Sequence, residues 1–373
     1  MTEPRTLLAI ACPGAGAVDT LALDPTTGQL EPLATVDGLG GASALAFAPG
    51  GEARGASPGA SPAGTTLYAA CNEGRPRVVV LTVDGRGAGR VREDVPLPAS
   101  SCFIVPDPAG RGLFSASYGE GRLDLVPVPG LSAGPARTFA TGRNTHCAAV
   151  SPDGRFLYAT ALGDDRLSWF PAREALVESA LEASPQADDG AAAPGGSVAA
   201  APGSGPRYLR LNAAGDRAYV VHERTGEIAV YARDAGSGEL ELLERVSAVE
   251  GLGLEPGPVR SAETPDPGPG VVWAADLRLT PDCRFLYTTE RSTGTVAAFA
   301  VGADGRLGYL SRTETEAQPC GAALDPSGRF LLVAGEGSSH VTAYRIGQDG
   351  SLAPVSRAAT SAGPVWVEVR GGA

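Results

Sequence analysis

The chain has 373 residues, 43 % of them hydrophobic, which is enough for one large domain or two ordinary ones. Its 51 glycines and 31 prolines indicate many turns and count against a helical bundle. The net charge of −12 disfavours a general nucleic-acid surface, and the absence of lysine from the sequence excludes Schiff-base chemistry on a lysine.

Seven repeated units follow one another along the chain. Each has a turn with Pro, Asp or Gly, a short apolar strand, a polar turn and a second alternating strand, which is the pattern of a β-hairpin. The first three units match the others only in outline, and the later four are close copies of one another. The units begin near Leu7, Thr65, Asp107, Ser151, Asn212, Thr280 and Asp325.

The spacing of the units predicts the fold class. Equivalent first-strand positions from the second unit onward are separated by 46, 44, 61, 68 and 45 residues. Three intervals match the ~40–50 residues of a four-stranded propeller blade. We therefore predict an all-β protein, a seven-bladed β-propeller of four-stranded antiparallel blades. It would be a single domain over 1–373, with loop insertions near 50–64, 184–204 and 249–270.

Two further segments carry predictions about structure. Residues 172–183 have the composition of a helix, and the sequence leaves a helix and a loop as equal alternatives for this segment. The C-terminal residues 363–369 (GPVWVEV) look like a strand without a hairpin partner. We predict that they join the first blade beside the strands near Leu7 and Val18, which closes the ring and hides sheet edges.

Targeting and cysteine signals are weak. No apolar run approaches the ~18 residues that span a bilayer, and residues 7–12 are too short for a signal-peptide core. We expect a cytoplasmic protein without membrane or nucleic-acid partners, monomeric or weakly homo-oligomeric.

The six cysteines are scattered with no Cys-x-x-Cys, so we expect reduced thiols.

Polar side chains recur at matching places in the units. The three histidines lie in the units or just ahead of them, and an acid–arginine pair occupies the turn between the two strands of several units. Equivalent positions on successive blades lie on one face of a propeller, so they are candidates for a shared site. The candidates among the histidines and the charged turn residues are His146, Arg166, His222, Glu223, Arg291 and His340.

Further candidates precede the strands that would line the channel. Arg207 follows Gly205-Pro206, and Gln318 stands before Pro319-Cys320-Gly321. Asp276 lies at a related place, where a blade-to-blade hydrogen bond is the expected role. Turn pairs of arginine and acid are more often solvated ion pairs than ligands. A Cys147–His146 dyad is disfavoured because strand neighbours face opposite ways. Three histidines without a spacing motif make a poor metal site, so we expect no metal and no cofactor.

The chain resembles the seven-bladed propeller lactonase family, which includes propeller-type 6-phosphogluconolactonases and carboxymuconate lactonizing enzymes. The resemblance covers most of the chain from Thr145 onward, and the pairing of GPR with a later turn glutamate is its more specific part. The matching stretches are THCAAVSPDGRFLYATALGDDRLSWF, GSGPRYLRLNAAGDRAYVVHERTGEIAVYA, AADLRLTPDCRFLYTTERSTGTVAAFAV, QPCGAALDPSGRFLLVAGEGSSHVTAYRI and GPVWVEV.

The resemblance implies a lactonase with four catalytic residues, His146, Arg207, Glu223 and Arg291. We add Arg166, His222, Gln318 and His340 as candidate substrate-binding residues. Two positions depart from the family pattern. Cys320 stands where an arginine is frequent, and Tyr208 stands where phosphogluconolactonases often have histidine. One cationic contact to a substrate phosphate is therefore expected to be missing.

The chemistry of these residues suits lactone hydrolysis. The imidazole of His146, with an ordinary pKa near ~6.5, is a suitable general base. Glu223 could share the role of base or orient the imidazole. Arginine guanidinium groups suit a carboxylate, a phosphate or a developing oxyanion. The first hypothesis is metal-independent hydrolysis of 6-phosphogluconolactone to 6-phosphogluconate, a step of the pentose phosphate pathway. Two alternatives stay open: a carboxymuconate-type lactonizing enzyme or other carboxylate lactonase, and a non-catalytic binding scaffold.

Overall fold

The computed structural model describes residues 5–49, 64–108, 110, 112–129, 136–172, 191–260, 266 and 268–371. The chain divides into two compact units. The terminal unit comprises residues 1–97 and 275–373, and the central unit comprises residues 98–274. Apart from two short 3-10 turns, Pro13–Ala15 and Leu162–Asp164, the regular structure within the described ranges is β-strand. The candidate helix at 172–183 lies, from residue 173, outside the described residues.

The first fourteen strands run through the terminal unit into the central unit. They are β1 (Thr6–Cys12), β2 (Ala17–Leu23), β3 (Leu30–Asp37), β4 (Ala42–Phe47), β5 (Thr65–Cys71), β6 (Arg77–Val83), β7 (Gly89–Pro96), β8 (Phe103–Pro106), β9 (Leu113–Ser117), β10 (Arg122–Val126), β11 (Arg137–Ala140), β12 (Thr145–Val150), β13 (Phe156–Ala161) and β14 (Arg166–Pro171).

The other fourteen return the chain to the terminal unit. They are β15 (Gly196–Ala199), β16 (Pro206–Leu211), β17 (Arg217–His222), β18 (Glu227–Arg233), β19 (Leu240–Ser247), β20 (Ala274–Leu279), β21 (Phe285–Glu290), β22 (Thr295–Val301), β23 (Leu307–Glu314), β24 (Pro319–Leu324), β25 (Phe330–Gly335), β26 (His340–Ile346), β27 (Leu352–Ala359) and β28 (Trp366–Val369).

These strands form seven four-stranded sheets in the part of the chain that the structure describes. The central unit holds three of them, β8–β11, β12–β15 and β16–β19, and the terminal unit holds the other four. Neighbouring strands within these sheets pair antiparallel, which agrees with the predicted blade architecture. The repeated hairpins of the sequence are the second and third strands of each sheet.

The unit that begins at Ser151 shows why the sequence folds this way. Gly154 adopts a left-handed φ of 66°, and its N–H donates to the Ser151 carbonyl, so the chain reverses between β12 and β13. The following strand is buried on both faces, with Leu157 and Tyr158 fully enclosed. A strand covered on both faces reads as a nearly continuous apolar run, as FLYATA does.

The C-terminal strand completes the first sheet. Strand β28 pairs antiparallel with β1, with Val369 opposite Leu8 and Trp366 opposite Ala11, and the Arg370 N–H donates to the Leu7 carbonyl. The sheet therefore has the order β28-β1-β2-β3. The predicted union of the two chain ends is confirmed.

A buried carboxylate links two sheets of the terminal unit. Asp276 on β20 accepts a hydrogen bond from the backbone N–H of Ala322 on β24, at 2.8 Å, and forms an ion pair with Arg278. Asp276 is 3 % exposed. The blade-to-blade hydrogen bond predicted for Asp276 is confirmed.

The predicted insertions need one correction. Residues 196–199 were assigned to a surface loop, but they form β15, the fourth strand of its sheet, with Ala199 opposite Arg166 and Gly196 opposite Trp169. The cause of the error is composition: a short Gly-Ser-Val-Ala strand at the end of a run rich in Ala, Gly and Pro has no hydrophobic signature. Residues 50–63, 184–190, 261–265 and 267 of the insertions lie outside the described residues. The single-domain assignment stays a prediction.

Within the described ranges, no helix has the length and apolar character needed to cross a bilayer.

Candidate active site

In the part of the chain that the structure describes, innermost strands of both units carry a β-bulge at one repeated place. The register shifts by one residue between Ala42 and Ala44 on β4 and between Pro319 and Gly321 on β24, and likewise on β12 and β16. A bulge leaves one residue out of the ladder and re-aims its side chain, and bulges are frequent beside active sites. The bulged residues are Ser43, His146, Arg207 and Cys320.

His146 is held among aromatic rings of the central unit. The Tyr208 ring lies edge-on to the imidazole with centroids 5.3 Å apart, and the Tyr118 ring does the same at 5.9 Å. Phe103 packs in turn against Tyr208 at 5.6 Å. His146 is 7 % exposed, so these rings fix its orientation and exclude most bulk water. A positioned imidazole in a largely apolar setting suits proton transfer.

Arg207 and Glu223 form a buried ion pair. The Arg207 Nε–H donates to a Glu223 carboxylate oxygen at 2.9 Å, and the two side chains are 5 % and 3 % exposed. The Glu223 N–H donates to the Gly205 carbonyl, which fastens its turn beside the start of β16. The guanidinium carbon also lies 4.4 Å from the centre of the Tyr208 ring. Tyr208 therefore contacts both His146 and Arg207.

A tyrosine hydroxyl and a cysteine thiol near His146 both have raised pKa values. Burial, with a further contribution from Glu223, raises the pKa of Tyr118 well above its ordinary value. Cys102 lies behind the strand, with its Sγ 3.8 Å from the His146 carbonyl oxygen. Burial raises the pKa of that thiol to about 12. A thiol that keeps its proton is a poor nucleophile, so the arrangement favours activated water over a cysteine adduct.

Two other predicted residues of the central unit have structural partners. Arg166 at the start of β14 donates to the Thr141 carbonyl and pairs with Asp164 at 3.4 Å. His222 at the end of β17 is 1 % exposed, and its Nδ1 lies 3.2 Å from the Glu227 carbonyl oxygen. Burial lowers the pKa of His222 to about 4. Substrate binding by these two residues stays a prediction, and their contacts favour structural roles.

The remaining predicted residues belong to the terminal unit. Arg291, in the turn after β21, is 1 % exposed and lines a cavity of about 370 Å³ that Gln318 also lines. Gln318 has a left-handed φ of 50°. His340 opens β26, and its Nδ1 lies 2.6 Å from the Ser338 carbonyl oxygen. The structure thus brings Arg291 and Gln318 together, and the roles of all three stay predictions.

Tyr118, an aromatic residue that the sequence analysis did not select, contacts His146. Tyr118 follows β9, and its hydroxyl donates to the backbone carbonyl of Arg260 at 3.2 Å. Tyr118 occupies the turn position of its unit that Glu223 and Arg291 occupy in theirs, whereas Arg260 lies in the connection between β19 and β20. Within the described ranges, no group of three His, Cys, Asp or Glu residues is arranged to hold a metal ion. Metal independence stays a prediction.

The comparison with known families covers nearly the whole chain. Residues 6–369 match the family described as "Lactonase, 7-bladed beta-propeller". The chain belongs to this family. The resemblance noted in the sequence and the predicted seven-bladed β-propeller of four-stranded blades are both confirmed.

Two relatives carry a functional name. A Klebsiella pneumoniae protein named 6-phosphogluconolactonase is 32 % identical over 241 residues, covering 64 % of this chain and 65 % of that protein. A Yersinia pestis protein of the same name is 30 % identical over 320 residues, covering 85 % and 83 %. The first alignment thus spans just under two thirds of that relative's length.

Solved structures share the fold. The periplasmic gluconolactonase of Pseudomonas aeruginosa superposes with a TM-score of 0.75 at 23 % identity over 98 % of each chain. A Lactobacillus plantarum protein superposes with the same TM-score at 20 % identity over 98 % of this chain and 99 % of that one. At this level of identity the likeness concerns the fold.

Proposed function

We propose that this protein hydrolyses a sugar lactone, with 6-phosphogluconolactone as the substrate and 6-phosphogluconate as the product. The observation that carries the proposal is the grouping of His146, Tyr208 and Arg207. Two adjacent innermost strands each project a bulged residue, and one tyrosine ring contacts both. An imidazole beside a buried guanidinium supplies the base and the anion stabiliser that ester hydrolysis requires.

The proposed reaction adds one water molecule across the lactone ester. His146 accepts a proton as the water oxygen attacks the carbonyl carbon. Arg207, held by Glu223, donates to the carbonyl oxygen while negative charge develops there. The bond between the carbonyl carbon and the ring oxygen then breaks, and the proton on His146 passes to the departing oxygen. The products of the step are a carboxylic acid and a hydroxyl on the same open chain, and the acid then releases its proton to solvent and becomes a carboxylate.

The setting of the reaction is part of the proposal. Relatives named 6-phosphogluconolactonase support a place in the pentose phosphate pathway, and the sequence features described above support a cytoplasmic protein acting without a metal. The predicted role of Glu223 is included, as the group that orients Arg207. Anion binding by Arg291 is a separate proposal for the terminal unit, and the reaction steps above do not depend on it.

The test is hydrolysis of freshly generated 6-phosphogluconolactone, followed by a coupled dehydrogenase, with and without EDTA. We expect EDTA-insensitive turnover well above the spontaneous rate. His146→Ala should lose at least ~100-fold of that rate, the typical contribution of a general base. The matched control is Ser43→Ala, which alters the equivalent bulge of the terminal unit and should retain the full rate.

Two results would contradict the proposal. Full activity of His146→Ala, with a circular dichroism spectrum like that of the parent, would remove His146 from the base role. No acceleration by the parent protein would reject this substrate. Glucono-δ-lactone and a carboxymuconate would then be assayed, and inactivity toward both would favour the binding scaffold.

A further inference from the structure

The long connection between β19 and β20 is attached to the candidate active site. The Gly257 N–H donates to the Arg224 carbonyl at 2.8 Å, and the Arg224 Nε–H donates to the Gly257 carbonyl at 2.7 Å. Glu255 exchanges backbone hydrogen bonds with Gly270 and Val272. Arg224 directly follows Glu223, so this part of the connection is fastened to the turn that carries the site carboxylate.

The same connection reaches the residues around His146. The Tyr118 hydroxyl donates to the Arg260 carbonyl at 3.2 Å, and the Tyr118 ring lies edge-on to His146 at 5.9 Å. One tyrosine therefore spans from the backbone of Arg260 to the imidazole. Residues 255–260 of the connection are thus a wall of the candidate site in the central unit.

The Arg260 side chain presents a charge at this wall. Its guanidinium carbon lies 4.8 Å from the centre of the Trp273 ring, and Trp273 is 5 % exposed. Stacking on an aromatic face orients a guanidinium without neutralising its charge. Among the described residues, no carboxylate is within ion-pair distance of Arg260. Arg260 is half-buried, so solvent and a ligand can both reach it.

The Arg207–Glu223 pair leaves the site without a net positive charge that the Arg260 guanidinium can supply. Arg207 and Glu223 together carry no net charge, because the guanidinium is matched by a carboxylate. An anionic substrate needs a further positive charge, and a phosphate needs one more than a neutral lactone ring does. Around the Tyr118 hydroxyl, Arg260 and Arg207 oppose the negative influence of Glu223.

We propose that Arg260 binds the phosphate group of a phosphosugar lactone and sets the preference of the site for phosphorylated over unphosphorylated substrates. This inference rests on the proposed lactone hydrolysis and names a residue outside the repeated positions. Guanidinium and phosphate form charge-assisted hydrogen bonds whose planar geometry favours arginine. The stacked position on Trp273 orients the guanidinium in advance, which lowers the entropy lost on binding.

The experiment compares two lactones on Arg260→Ala and Arg260→Gln in the full chain. For 6-phosphogluconolactone we expect kcat/KM to fall ~10- to 100-fold, mainly through KM, as the loss of a charged hydrogen bond implies. For glucono-δ-lactone kcat/KM should change less than ~3-fold. The matched control is Arg155→Ala, an exposed arginine of the same unit that stacks on Phe156 and should leave both rates unchanged.

Equal losses on the two lactones would assign Arg260 a structural role and overturn the inference, as would no loss on either. Binding of the two reaction products, 6-phosphogluconate and gluconate, tests the role of Arg260 separately from the proposed hydrolysis. Calorimetry should show that Arg260→Gln weakens 6-phosphogluconate at least ~10-fold while gluconate is unaffected. This difference can appear even if the parent hydrolyses neither lactone, in which case the hydrolysis alone is rejected. If the variant binds 6-phosphogluconate as the parent does, the inference is wrong.

Discussion

The innermost strands of the two units share a bulge and differ in what it carries. In the central unit the bulged residues are His146 and Arg207, and in the terminal unit they are Ser43 and Cys320. The backbone device is the same, because each strand pairs with its neighbour in the same register pattern. The comparison teaches that the repeat supplies places for chemistry, while the side chain at each place decides whether chemistry is available.

The ion pairs of the two units differ in the same sense. Arg207 and Glu223 are both enclosed, whereas Arg357 is 52 % exposed although its partner Glu316 is buried. The terminal pair is a bidentate contact, at 2.8 and 2.9 Å, with a hydrogen bond from Thr342 to the same carboxylate. The central pair has an enclosed guanidinium beside an imidazole, and the terminal pair supports the attachment of β27.

The largest expected effect comes from breaking the central pair. Arg207→Ala leaves the Glu223 carboxylate buried without its cation, which should cost about 3–5 kcal/mol of unfolding free energy. It should also lower lactone hydrolysis at least ~100-fold. Arg357→Ala in the terminal unit removes a half-exposed partner and should leave hydrolysis unchanged. Denaturant unfolding measures the free energy of unfolding of each variant, and the coupled assay measures its rate of hydrolysis. Equal loss of activity in the two variants would contradict the difference between the units.

A second variant separates activity from stability. Arg207→Met combined with Glu223→Gln removes both charges, so most of the lost unfolding free energy should return while activity stays low. Recovery of activity in this double variant would show that the pair acts through folding alone.

The units should also differ in their response to acid. Burial lowers the pKa of His222 from its ordinary 6.5 to about 4, so the fold favours the neutral imidazole. Its stabilisation is fully present above pH 6.5 and is lost as the pH falls toward 4, by about 3 kcal/mol in all. In the terminal unit, burial acts to raise the pKa of Glu316, but hydrogen bonds from Arg357 and Thr342 outweigh it and lower the pKa to about 2. That contribution is present above the ordinary 4.5 and is lost between 4.5 and 2.

Hydrogen exchange resolved by region measures this difference. Between pH 6.5 and 4.5 the strands β16–β19 should lose protection while β24–β27 keep theirs. In His222→Gln the loss in β16–β19 should disappear, because the titrating group is gone. A parallel loss in both regions of the parent protein would contradict the assignment to His222.

The smallest expected effect concerns the bulge of the terminal unit. Cys320→Ala shortens a half-buried side chain by one sulfur, so lactone hydrolysis should stay within ~2-fold and the melting temperature within a few degrees. Steady-state kinetics and a thermal melt suffice as the check. A loss comparable to that of His146→Ala would show that the bulge at Cys320 carries chemistry after all.

The repeats predicted much of the fold because they report local structure. Turn residues such as Gly154 and buried strands such as FLYATA leave a periodic trace, and the trace is repeated seven times. The partner of β1 was also predictable, since GPVWVEV is a strand with no hairpin of its own. The strand β15 was missed because four small residues leave no such trace.

The site was predictable only where it coincides with the repeat. His146 and Arg207 share one position of the repeat, and Glu223 shares another with Arg291, so sequence comparison within the chain selects them. The contact between Tyr118 and Arg260 joins residues 142 positions apart, and Arg260 lies outside the repeat, so the repeat does not predict this contact. The exposure of His222 was also not predictable, because a residue at the end of a strand can face solvent or the interior.

The pairing of β28 with β1 has a consequence for biosynthesis. The first sheet joins β1 to a strand at Trp366–Val369, far along the chain, whereas residues 98–274 are contiguous and hold three complete sheets. The central unit can therefore assemble while the chain is still being translated, at ~5–20 residues per second. The edge of β1 that pairs with β28, along Leu8 to Ala11, stays uncovered until β28 has been synthesised.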